Sequence, residues 1–86
     1  MAIYKLIRKD KRNNLKFTLS WSNNEFSILI REKIGKRIIS SRVKGVASDV
    51  RYAITIFEQV TRNCTNAQVI NDLIIEIEAK HNMLIL

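Results

Sequence analysis

Residues 15–33 read LKFTLSWSNNEFSILIREK. Leu15, Phe17, Leu19 and Trp21 alternate with Lys16, Thr18 and Ser20, the period-two pattern of a strand with one dry face. Ser22-Asn23-Asn24 supplies residues that tolerate positive φ, and Phe26, Ile28 and Ile30 then resume the alternation against Ser27, Leu29 and Arg31. Two strands joined by so short a polar link pair as an antiparallel hairpin. One of its faces is apolar and the other carries lysine, threonine, serine and arginine.

The pattern extends on both sides. Ala2–Lys9 (AIYKLIRK) predicts a preceding strand, with the polar run 10–14 as its turn. Lys33-Ile34-Gly35-Lys36 closes a second hairpin, Gly35 taking the permissive backbone position, and Lys36–Val43 (KRIISSRV) predicts a fourth strand. After Gly45 the period changes. Ser48 with Asp49 suits a helix start, and Val50, Ala53, Ile54, Phe57 and Val60 recur at helical spacing. Arg62-Asn63-Cys64 ends that helix. Thr65 with Gln68 matches a capping box for a second one, whose stripe is Val69, Ile70, Leu73, Ile74 and Ile77, with Lys80 and His81 in its last turn and Asn82 as a left-handed cap. The apolar end Met83–Leu86 is expected as a short fifth strand or a docked tail, with self-association as a further use. The sequence therefore predicts one α+β domain of order ββββαα, an antiparallel four-stranded meander packed on one face by two helices.

Composition narrows the chemistry. At 86 residues the chain is near the small end of what folds unaided, so burial of further surface in a homodimer would help it. A hydrophobic fraction of 47% argues against disorder. No apolar run approaches the roughly 20 residues of a membrane span, and the cations at Lys5, Arg8 and Lys9 precede no apolar segment of signal-peptide length, so no membrane partner and an intracellular location are expected. The single cysteine, Cys64, excludes an internal disulfide and is expected as a buried structural thiol.

The net charge of +7 is unevenly placed. Residues 1–45 hold twelve basic and three acidic residues, +9, whereas residues 46–86 hold three basic and five acidic ones, −2. Such asymmetry points to an anionic partner. The face away from the helices is expected to collect Lys5, Lys16, Thr18, Ser20, Ser27, Arg31, Lys33, Ser40 and Arg42, bordered by the loop cations Lys11, Arg12, Lys36 and Arg37. Cations and hydroxyls are the donors that hold phosphate oxygens, so DNA or RNA is the first expected partner. Phe17, Trp21 and Phe26 are expected to point toward the helices, which leaves little aromatic surface for base stacking and implies weak sequence selectivity. A protein with an acidic surface is the alternative: the chain would then be an interaction module or inhibitor, for example a viral protein acting on a host nucleic-acid enzyme. The richness in isoleucine, lysine and asparagine fits an AT-biased virus or mobile element.

Catalytic residues are scarce. His81 is the sole histidine, leaving no base and orienting group for a serine nucleophile and no ordinary metal-ligand set. Asp72 and Glu76 share a helix face from which Glu78 turns away, which reads as a solvated acidic surface. Gly35-Lys36 lacks the loop and helix of a phosphate-binding P-loop. The expectation is a non-catalytic protein without cofactor or metal.

Overall fold

The computed structural model describes residues 5–47 and 49–85, with the backbone alone for 81–85. Its elements are β1 (Lys5–Arg12), β2 (Leu15–Ser22), β3 (Glu25–Ile34), β4 (Arg37–Lys44), α1 (Val50–Asn63), a 3-10 turn (Ala67–Val69) and α2 (Ile70–Ile85). The strands form one antiparallel sheet in the order β1-β2-β3-β4, so the expected α+β meander followed by two helices is the fold observed.

Turn chemistry sets the registers. Asn23 and Asn24 both take positive φ (54° and 63°), the geometry whose twist matches a two-residue hairpin, and pair Ser22 with Glu25. Gly35, at φ 60°, closes Ile34 onto Arg37. Asn13 takes φ 55° between β1 and β2, and the adjacent Asn14 is tied to β3 twice: Lys33 N donates to its carbonyl at 3.0 Å and its Nδ2 donates to Lys33 O at 2.9 Å.

With registers fixed, alternation decides the faces. Leu15, Phe17 and Leu19 of β2 and Phe26, Ile28 and Ile30 of β3 are all buried under the helices, as their spacing predicts. Each such side chain contributes about 1.5–3 kcal/mol on leaving water. Trp21 lies on the same side, half-buried against the core. Tyr4, the other aromatic that alternation in the first strand could bring to the open face, lies outside the described residues.

Asp49 caps α1, its carboxylate accepting from Tyr52 N at 3.3 Å. The buried stripe is Ala53, Ile56, Phe57 and Val60, one i, i+3, i+4, i+7 row, so Ile56 replaces the expected Val50, which is 41% exposed, and Ile54 is only half-buried. The entry to α2 also differs from the expected capping box. Asn66, not Thr65, is the cap: its side chain accepts from Gln68 N at 3.0 Å and starts the 3-10 turn that leads into Ile70. Ile70, Ile74 and Ile77 then face the core.

α2 runs on to Ile85, so residues 83–85 are helical and the expected fifth strand and Asn82 cap do not form; Leu86 lies outside the described residues. No glycine or proline interrupts the segment, and an apolar helix continues more readily than an unpartnered strand starts. Lys80 and His81 consequently precede the last turn, and Lys80 Nζ meets Glu76 Oε1 at 3.4 Å, one turn back. Among the described residues no helix is long and apolar enough to cross a membrane.

Candidate nucleic-acid interface

Pairing across the four strands arranges the face away from the helices in rows. The first is Lys11–Lys16–Arg31–Ser40, the second Lys9–Thr18–Leu29–Arg42 and the third Leu6–Ser20–Ser27–Lys44. Lys33 and Ile38 continue the face toward the β3–β4 turn. Seven cations thus share it: Lys9, Lys11, Lys16, Arg31, Lys33, Arg42 and Lys44. Four hydroxyls stand among them, Thr18, Ser20, Ser27 and Ser40.

Several expected members move. Lys5 pairs with Trp21 and so belongs to the helix side, at the exposed edge of the sheet. A register shift between Leu6 and Arg8 resets the parity of β1, which brings Lys9 and Lys11 onto the open face. Lys11 is therefore a strand residue that begins the first row from the edge strand β1, rather than a turn cation. Lys36 is exposed in the β3–β4 turn and Arg37 lies on the helix side beside Ile34. Lys44 joins because β4 extends to it. An alternation count along β1 taken without the bulge puts Lys5 on the same face as Lys9 and Lys11, and so misplaces Lys5.

Arg12 is removed from the interface altogether. It pairs with Leu15 on the core side, where its guanidinium donates to Arg62 O at 2.7 Å and also to Cys64 O, the carbonyls at the end of α1. It also lies over the Phe17 ring, 5.9 Å from the centroid. On the same row Glu32 is 8% exposed, and its Oε1 accepts from Ala67 N at 3.1 Å at the start of the turn that opens α2. A cation thus meets one helix end and an anion the next helix start, each in its favourable place. Between them Cys64 is buried, its Sγ donating to Asn66 O at 3.0 Å, and burial pushes its thiol above the ordinary range. These partners make Arg12, Glu32 and Cys64 parts of the scaffold.

The open face has no such neutralisation. Among the described residues the one ion pair within 4 Å is Lys80–Glu76, on α2. Glu25, the single acid on the face, sits at its far end beside Ser22 and Gly45. Lys11, Lys16 and Arg31 stand directly opposite one another on three adjacent strands. Cross-strand neighbours are about 5 Å apart, and like charges so placed destabilise a sheet by some tenths of a kcal/mol per pair. Two open depressions of about 520 and 440 Å³ adjoin this row, and both are lined by Lys11 and Lys16. An anion seated in either would be met by the ammonium groups of Lys11 and Lys16 from two strands, with Lys9 and Asp10 also lining the first and Lys33 the second.

Phe17 and Phe26 are buried on the opposite side, so the aromatic rings of the central hairpin offer no stacking platform here. Instead Leu6 and Ile38, 48% and 65% exposed, and half-buried Leu29 interleave with the cations. Among the described residues no group of three His, Cys, Asp or Glu side chains is placed to hold a metal ion.

Compared with protein-family models, curated proteins and solved structures, the chain matches none.

Proposed function

We propose that this chain is a small, non-catalytic nucleic-acid-binding protein whose open sheet face contacts the phosphate backbone with weak sequence selectivity. The observation that carries this reading is the row Lys11–Lys16–Arg31, three cations held side by side with no acid within 4 Å among the described residues. A surface built for solubility alone intersperses both signs. A phosphate backbone supplies a line of charges that such a row neutralises, and releasing the condensed counterions drives association. Lys9, Lys33, Arg42 and Lys44 widen the contact, while Thr18, Ser20, Ser27 and Ser40 supply neutral donors. The buried aromatics favour phosphate contact over base readout.

A second reading has its own observation. Leu6, Leu29 and Ile38 lie among the cations, and an acidic protein surface with apolar patches would use them where a phosphate backbone would not.

Fluorescence anisotropy with labelled single- and double-stranded DNA and RNA tests the first reading. Binding that Lys16→Glu with Arg31→Glu weakens by at least tenfold, with the fold retained by circular dichroism, supports it. Absence of binding at low salt to all four probes overturns it. Recovery of one stoichiometric acidic protein after nuclease treatment would then support the second reading.

A further inference from the structure

The two edges of the sheet differ. β1 (KLIRKDKR) carries five cations and one acid in eight residues and a register shift after Leu6, both devices that discourage another strand from pairing there. β4 (RIISSRVK) is straight, pairs without interruption from Arg37 to Lys44, and has only three cations. Gly45 N donates to Phe26 O, which fixes the parity of β4: Arg37, Ile39, Ser41 and Val43 bond inward to β3. The amides and carbonyls of Ile38, Ser40, Arg42 and Lys44 consequently point out of the sheet, and no hydrogen bond to them occurs among the described residues.

The core is also incomplete along this edge. Ile28 of β3 is fully buried, whereas its β4 partner Val43 is half-buried, and Ile39 beside Glu32 is likewise half-buried. Ile38 on the other face is 65% exposed.

We infer that two copies of this chain pair antiparallel through their β4 edges, about a two-fold axis at Ser41, into one eight-stranded sheet. That register sets Ile39 against the partner copy's Val43 on the core side, twice by symmetry, at the positions where side chains approach most closely. It sets Ser40 against Arg42 and Ile38 against Lys44 on the open side, so no cation of β4 faces another. The outward groups of Ile38, Ser40, Arg42 and Lys44 then form about eight main-chain hydrogen bonds. Both open faces lie on the same side of the extended sheet, which makes the basic surface continuous across the dimer. The pairing is inferred from the edge itself and stands whether or not that surface binds nucleic acid.

Light scattering after gel filtration, without nucleic acid and at tens of micromolar, reads the mass, which is expected to be twice 10.0 kDa. Ser40→Pro removes an outward amide while leaving the β3 ladder intact, so it should give a folded monomer by circular dichroism. Ser41→Cys places two thiols across the axis within disulfide reach and should give an oxidised dimer in high yield, while Ser40→Cys, two residues out of register with its own copy, should not. Cys64, being buried, leaves the unmodified chain uncross-linked under the same oxidant. A wild-type mass of one chain, a mass above two chains, a dimer that Ser40→Pro leaves intact, or linkage through Ser40→Cys in preference to Ser41→Cys would each overturn the inference.

Discussion

Lys11 and Arg12 are consecutive in β1 and begin two parallel rows at the same end of the sheet. The inner row is Arg12–Leu15–Glu32–Ile39, and the outer row is Lys11–Lys16–Arg31–Ser40. Both carry charge, but only the inner one satisfies it within the chain. Arg12 holds the last carbonyls of α1, and Glu32 holds the amide of Ala67 as the next helical segment begins. Among the described residues the outer cations meet no acid within 4 Å. A charge that has found its partner in the fold stabilises the fold. A row that has not, and repels itself, is a place where an external anion gains most.

That contrast can be broken from the inside first. Glu32→Ala leaves the buried Ala67 amide without an acceptor and should cost about 2–3 kcal/mol in urea unfolding, the largest effect among these charged positions. Glu32→Gln keeps an acceptor oxygen and should recover part of the loss. Arg12→Ala should cost about 1.5–2 kcal/mol, because two charge-assisted bonds to the end of α1 disappear. The same measurement on Lys11→Ala, one residue away, should register no loss. A comparable loss there would erase the distinction between the rows.

The outer row offers the converse. Lys16→Ala relieves repulsion from both Lys11 and Arg31, so stability should hold or rise by up to about 0.5 kcal/mol while nucleic-acid affinity falls. The smallest effect concerns pH. The Cys64 thiol is pushed upward from its ordinary value of 9.0 chiefly by burial. The folded chain therefore keeps its proton where the unfolded chain loses it. Stability from this group is fully present below the unfolded pKa and declines as pH rises from there through the folded one. Cys64→Ala should flatten the alkaline decline, and a native thiol that reacts with iodoacetamide at pH 8 as fast as the unfolded one would contradict its burial.

How much of this was legible in the sequence depended on which residues signal locally. Alternation in 15–33, the Asn-Asn and Gly35 turns and the helical spacing after Asp49 are local patterns, and they specify the meander, the helices and the face of Phe17 and Phe26. Lys16, Arg31, Lys33 and Arg42 could be assigned to the open face for the same reason. β1 could not be read so well, because a bulge at Ile7 leaves no composition signal and inverts every assignment on one side of it. Arg12 was legible as a cation but not as a clamp, since its acceptors lie about fifty residues later. Glu32 carried the same ambiguity: in a strand it reads as a surface acid, and only the arrival of Ala67 above it gives it a role. The helical end of α2 is not legible because Asn82 reads as a left-handed cap and the short apolar run after it fits strand and helix alike.

Lys11, Lys16 and Arg31 are proposed to face phosphates as a unit. The most direct test is the salt dependence of nucleic-acid affinity for the wild-type chain and for Lys11→Gln, Lys16→Gln and Arg31→Gln combined, measured by anisotropy between 50 and 200 mM salt. Each phosphate neutralised contributes about 0.9 to the slope of log affinity on log salt for duplex and about 0.7 for single strands. The triple variant should lower the wild-type slope by about 2–3, with its thermal stability unchanged or raised. An unaltered slope in a folded triple variant would place any phosphate contact elsewhere and remove these three side chains from it.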